Sequence, residues 1–170
     1  TVSFRELDTG EGLDRWLSLL LATGVVAVTG APTVEGEVLR LAERIGFARP
    51  TNFGLLFDVV SQPEPTSNAY TALELDLHTD LPFWDAPPDF QFLHALVTVA
   101  SGGESLLVDG FRVARDLARD DPQAFTVLSS WPVPFRYIDG GDELRLTSPV
   151  IELRDGEVVG IRFNNGVRDV

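Results

Sequence analysis

Residues 73–80 read Leu-Glu-Leu-Asp-Leu-His-Thr-Asp, with Leu at 73, 75 and 77 and polar residues at every other position. Period-two alternation predicts a strand that buries Leu73, Leu75 and Leu77 on one face and presents His78 and Asp80 together on the other. Unpaired polar groups turned into an interior are costly. An imidazole and a carboxylate on one strand face can offset that cost by converging on one metal ion. A facial Fe(II) site of two His and one carboxylate then needs one further His. The chain has only two His, and the other, His94, lies in an apolar stretch too near in sequence to be a usual distal partner. Taken alone, His-x-Asp also describes an ordinary hydrogen-bonded polar pair.

The rest of the chain surrounds this strand with helix first and strand afterwards. Leu13, Trp16, Leu17 and Leu20 follow helical spacing over residues 13–21, with Gly24 where a C-terminal cap belongs. A buried strand is predicted over 25–29, closed by Gly30-Ala31-Pro32, and a second helix over 34–45 with Gly46 after it. Residues 1–50 are therefore a helix-strand-helix lead-in. Residues 52–60 are rich in aromatic and β-branched side chains, and 61–68, with Pro63 and Pro65, read as a loop. Ala86-Pro87-Pro88-Asp89 and Ser101-Gly102-Gly103 read as turns that bracket an apolar strand over 90–100. A strand over 105–108 and a short helix over 113–118 follow. Residues 149–163 form a predicted hairpin around Asp155-Gly156, a dipeptide suited to a type I′ turn.

Several strands spaced by turns, behind two helices, predict a mainly β fold of sandwich or jelly-roll type with flanking helices. At 170 residues and 44% hydrophobic composition, one domain spanning 1–170 with one core is expected. Zero Cys excludes disulfides and thiolate metal sites, and it suits a reducing compartment such as the cytoplasm. All 13 basic residues are Arg, so Schiff-base chemistry at Lys is excluded. A net charge of -13 lacks the basic footprint of a nucleic-acid binder. It suits a cationic ligand, although a solvated acidic surface is the commoner explanation. No run of 18 apolar residues suggests a membrane span. Thr1 is not an initiator Met, so residues preceding it are expected.

Seven short motifs occur in one order: Asn68-Ala69-Tyr70-Thr71, Leu77-His78-Thr79-Asp80-Leu81-Pro82, Pro87-Pro88, Gln91-Phe92-Leu93-His94, Gly102-Gly103-Glu104-Ser105, Val108-Asp109-Gly110-Phe111 and Arg162-Phe163-Asn164-Asn165. Together they resemble the γ-butyrobetaine and trimethyllysine dioxygenase branch of the taurine-dioxygenase-like oxygenases, over residues 52–169. The resemblance implies a double-stranded β-helix that uses Fe(II), 2-oxoglutarate and oxygen to hydroxylate an unactivated carbon. It implies His78 and Asp80 as iron ligands. Ser105 matches a hydroxyl residue on the 2-oxoglutarate carboxylate, against a plain residue after a tight turn, and Leu93 matches a residue lining that pocket, against ordinary core packing.

For the substrate, the resemblance implies a small quaternary-ammonium compound in an aromatic cage, because ring faces attract a cation that cannot be hydrogen-bonded. Tyr70 matches one wall, while Phe53 and Phe57 stand where relatives carry Tyr and Trp; core packing is the competing account of both Phe. Asn68, beside Ser67 at the family's amide position, and Asn164 with Asn165 are expected at the substrate carboxylate, the latter pair reading otherwise as a polar turn. Leu81 and Ser67 depart from the family pattern. Trimethyllysine or a trimethylammonio-phosphonate is therefore an alternative substrate to γ-butyrobetaine. The family's second His and its 2-oxoglutarate Arg have no match, so the β-helix is expected to be C-terminally incomplete, with weak metal binding and no turnover. An inactive β-helix that binds a ligand is the alternative, and a homodimer is expected from resemblance alone.

Overall fold

A computed structural model describes residues 1–60, 63, 75–97, 104–139 and 141–169. They fall into two compact units, Thr1–Asp58 with Phe90–Ser101 and Val59–Asp89 with Gly102–Val170.

The first unit is built around one amphipathic helix. β1 (Val2–Ser3) leads into a 3-10 turn (Phe4–Asp8) and then α1 (Gly10–Thr23). Thr9 caps α1 by accepting the Gly12 N–H on its hydroxyl at 3.0 Å. Gly24 ends it in the left-handed region, φ 72°, with its N–H donated to the Leu20 carbonyl at 2.8 Å. β2 (Val28–Thr29) pairs in parallel with β1, and α2 (Glu37–Ala42) follows. Val2, Leu7, Trp16 and Leu41 form the core. The Trp16 indole meets the Phe92 ring edge-on, with centroids 6.2 Å apart. Strand and second helix are both shorter than the sequence suggests, because Val25 and Val34 are more than half exposed and extend neither element into the core.

The second unit carries two helices and two hairpins. α3 (Gly110–Asp120) and α4 (Pro122–Ser130) begin at Asp109 and Asp121, whose carboxylates accept the Arg112 and Ala124 N–H groups. β3 (Val133–Asp139) and β4 (Asp142–Ser148) form one hairpin, β5 (Ile151–Arg154) and β6 (Glu157–Ile161) the next. Asp155 and Gly156 join β5 to β6 with φ of 53° and 84°, the positive pair that a type I′ turn requires. Both helices pack against this hairpin. Gly110 lets α3 approach closely, since a Cβ there would lie 3.3 Å from Ile161. Phe83 is buried and stacks on Tyr137 with centroids 4.9 Å apart.

Strand content is lower than the sequence predicts. Residues 75–80 form no strand, and Leu75 and Leu77 are about half exposed rather than buried. The strands expected over 90–100 and 105–108 are likewise not formed in 90–97 or 104–108, and Leu93, Val97, Leu106 and Leu107 are exposed. Burial still alternates along 91–97, so the local pattern persists without a ladder. A strand needs a partner for its N–H and C=O groups along its length; among the described residues 75–80 is held through Thr79 alone, and no strand pairs with 90–97 or 104–108. The strands that do form make three two-stranded sheets, so a double-stranded β-helix is not assembled among the described residues. α4 and the β3–β4 hairpin were not anticipated from the sequence. The loop over 61–68, apart from Pro63, the turn at 101–103, and Leu73 lie outside the described residues.

Candidate metal-binding site

His78 and Asp80 come together in the second unit, although not on a regular strand. Thr79 between them is tied to the end of β6: its N–H donates to the Phe163 carbonyl at 2.7 Å, and its hydroxyl accepts the Phe163 N–H at 3.0 Å. The Asn164 amide donates to the Thr79 carbonyl at 3.5 Å. The Phe163 N–H thus goes to a side chain where a ladder would use a carbonyl, which stops the pairing after one residue.

These bonds leave the flanking side chains on one side. His78 Nε2 stands 3.3 Å from Asp80 Oδ1, and His78 Nδ1 lies 2.7 Å from the Asp76 carbonyl. A carbonyl only accepts, so Nδ1 carries the proton in that bond. In the neutral imidazole, Nε2 then turns a lone pair toward a carboxylate oxygen. Two electron-pair donors then face one another, an arrangement that a bound metal ion satisfies, as does a proton on Nε2 in an imidazolium–carboxylate pair. Metal bonds of about 2.1 Å at right angles place two donors about 3.0 Å apart, close to the spacing found. A carbonyl behind the ligating imidazole is also the usual device for fixing its tautomer. Imidazole nitrogen and carboxylate oxygen suit Fe(II) among first-row metals. Among the described residues no third His, Cys, Asp or Glu completes a cluster with them.

The turn after Asp80 is unusual. Leu81 has φ 50°, in the left-handed region that side chains other than Gly seldom occupy. The Trp84 N–H donates to the Leu81 carbonyl at 3.0 Å, and Pro82 and Phe83 are buried. Arg162, at the end of the β5–β6 hairpin, reaches into this turn. It donates to the carbonyls of Pro82, Trp84 and Asp85 and pairs with the Glu152 carboxylate.

The other candidate residues divide between the units. Phe53 and Phe57 lie in the first, with ring centroids 5.3 Å apart at 36°. Phe57 is exposed, so the core account of this residue is not met. Leu93, also in the first unit, is 70% exposed, which likewise removes its core-packing account. His94 belongs to the first unit as well. Ser105 is exposed in the second unit, outside any strand or helix. Asn164 accepts the Gly166 N–H at 2.9 Å, so its carbonyl oxygen caps the 3-10 turn Asn165–Val167, while Asn165 is exposed. Asn68 and Tyr70 lie outside the described residues.

The sequence places Arg162 in the predicted hairpin and Thr79 in the His-Thr-Asp motif, but gives neither a role. Glu152 and Arg162 are opposite charges flanking the predicted hairpin turn, which was the available signal for a cross-strand pair.

A model of the taurine catabolism dioxygenase TauD, TfdA family matches residues 1–169. The chain belongs to the TauD/TfdA family. Over 154 residues it is 47% identical to the γ-butyrobetaine dioxygenase of Pseudomonas sp. (strain AK-1), covering 90% of this chain and 40% of the relative. The human γ-butyrobetaine dioxygenase is 41% identical over 160 residues, 91% of this chain and 41% of the relative. The mitochondrial trimethyllysine dioxygenase of Mus musculus is 34% identical over 170 residues, 96% of this chain and 40% of the relative. The TauD/TfdA chain described here thus spans about two fifths of the length of these relatives. Among its described residues, no helix is long and apolar enough to cross a membrane.

Proposed function

We propose that this chain supplies His78 and Asp80 as two ligands of an Fe(II) site in a 2-oxoglutarate-dependent dioxygenase that hydroxylates a small quaternary-ammonium compound such as γ-butyrobetaine. The observation that carries the reading is the pairing of His78 Nε2 with Asp80 Oδ1 at 3.3 Å, with the other imidazole nitrogen committed to the Asp76 carbonyl. Bound iron, with 2-oxoglutarate and oxygen, supplies hydroxylation of an unactivated carbon, the 2-oxo acid leaving as succinate and carbon dioxide. The Asp76 carbonyl keeps the His78 proton on Nδ1 and leaves Nε2 free to bind metal. The Asp80 carboxylate contributes the negative charge that a divalent cation needs.

In the same reading, Ser105 donates to a 2-oxoglutarate carboxylate and Leu93 lines its pocket. Tyr70, Phe53 and Phe57 are the aromatic residues that the resemblance assigns to the ammonium group, a cation–π contact of this kind contributing about 0.5–2 kcal/mol. Asn68, Asn164 and Asn165 hold the substrate carboxylate; Asn164 keeps one amide N–H for this after its bond to Thr79. The complete fold is a double-stranded β-helix, active in the cytoplasm as a homodimer. Trimethyllysine is the alternative substrate, supported by relatives named for it at 34% identity.

The test is succinate formation by the intact gene product from 2-oxoglutarate, with and without Fe(II) and γ-butyrobetaine. Ferrous-dependent succinate that rises with γ-butyrobetaine supports the proposal. Stimulation by trimethyllysine alone moves the substrate, and activity retained after His78→Ala overturns the site.

A further inference from the structure

Arg162 is the buried charged side chain among the described residues, 7% exposed, and nothing in the proposed chemistry uses it. Its N–H groups converge on one short segment. Nη1 donates to the carbonyls of Pro82, at 3.2 Å, and of Trp84; Nη2 donates to that of Asp85 at 2.7 Å; Nε donates to Glu152. The segment starts two residues after Asp80 and directly follows Leu81, which is held left-handed. Glu152 is fitted to its task, because a Cβ at Gly160 would stand 2.8 Å from Glu152 Oε2. Ser148 also donates to Glu152, at 3.3 Å.

A buried ion pair is weak evidence for stability, since apolar residues of similar volume often do as well. What a guanidinium adds is fixed geometry: a planar fork that binds several acceptors at once, which an ammonium does not reproduce. Here the acceptors are three carbonyls within four residues. Left to itself, a Leu at positive φ relaxes to the right-handed or extended region, and the direction in which the chain leaves Asp80 changes with it.

We propose that Arg162, with Glu152 as its counter-charge, is a positioning residue for the candidate metal pair: it holds the 81–85 turn, keeps Leu81 left-handed, and so directs the Asp80 carboxylate toward His78. This rests on reading His78 and Asp80 as metal ligands. Arg162 itself touches neither.

The experiment titrates the chain with Co(II), following the His78 ring protons by NMR, alongside hydrogen exchange at the Trp84 amide. Arg162→Lys and Arg162→Gln are expected to weaken Co(II) binding about 10–100-fold, the range for residues that orient metal ligands, and to speed Trp84 exchange. Adding Leu81→Gly to Arg162→Gln is expected to restore part of the affinity, because Gly takes the left-handed conformation freely. A role in stability alone predicts no such rescue. If the Arg162 variants do not fold, Glu152→Gln with and without Leu81→Gly gives the same comparison. Variants that bind Co(II) like the parent and protect Trp84 equally overturn the proposal. A parent that binds no Co(II) overturns the metal reading instead, and Trp84 exchange then decides whether Arg162 holds the turn.

Discussion

Thr79 and Phe163 exchange two hydrogen bonds across 84 residues of sequence, one from each backbone N–H, and only one of the two acceptors is a carbonyl. The hydroxyl of Thr79 is therefore part of the frame that sets His78 beside Asp80. Thr79→Val keeps the shape and removes the acceptor, leaving the Phe163 N–H without its partner. The expected loss is about 0.5–1.5 kcal/mol in urea unfolding. Thr79→Ser, which keeps the hydroxyl, is expected to lose less, and equal losses for both would count against this bond.

Gly12 is placed where no side chain fits. A Cβ there would stand 1.8 Å from the Glu6 carbonyl oxygen, a backbone atom that cannot swing aside. Gly12→Ala is expected to destabilise the first unit by about 3 kcal/mol, the upper part of the overpacking range, although Ala is the better helix former. A thermal melt as high as the parent's would refute the close approach of the 3-10 turn to α1.

At Gly160 the obstructing atom belongs to a side chain, Glu152 Oε2. Gly160→Ala is expected to cost about 1–3 kcal/mol by pushing that carboxylate off Arg162. In a Glu152→Ala background the same change meets no carboxylate, so the two substitutions should be strongly non-additive. Additive effects in a double-mutant cycle would place the origin of the cost elsewhere.

Glu143 predicts a pH dependence. Hydrogen bonds from Arg145 and then Arg136 hold its carboxyl below the ordinary value of 4.5. A carboxyl lowered in the folded state favours folding when ionised, so its contribution is complete above the ordinary value and is lost as pH falls through the lowered one. Glu143→Gln is expected to flatten the acid limb of stability below pH 4.5. Denaturant midpoints on both sides of that pH, in parent and variant, test the sign.

The sequence made some of this legible and hid the rest for definable reasons. Gly24 and Asp155-Gly156 were readable because left-handed positions select few residues, and both sit where expected. His78 and Asp80 were readable as a pair because two-residue spacing keeps side chains on one side even without a regular strand. Residues 90–97 and 105–108 misled because an apolar run reports a preference for burial and extended chain, while a strand also requires a neighbour. α4 and the β3–β4 hairpin carry their signals in caps and turns, Asp121-Pro122 and Gly141 at φ 98°, rather than in long apolar runs. Arg162 was hidden by register: a regular two-residue turn sets Glu152 opposite Val159, but a shift between Glu152 and Leu153 sets it opposite Gly160.

That one-residue shift acts as a parity setting. With it, Glu152, Gly160 and Arg162 share a face of the hairpin; without it, Arg162 would fall on the reverse side from Glu152. Deleting Ile161, the single residue between Gly160 and Arg162, would leave the turn and every charge in place while moving Arg162 to the reverse face from Glu152. The number of residues between Gly160 and Arg162 thus sets whether the guanidinium faces Glu152 and, in the role proposed for Arg162, whether it reaches the turn after Asp80 some eighty positions away.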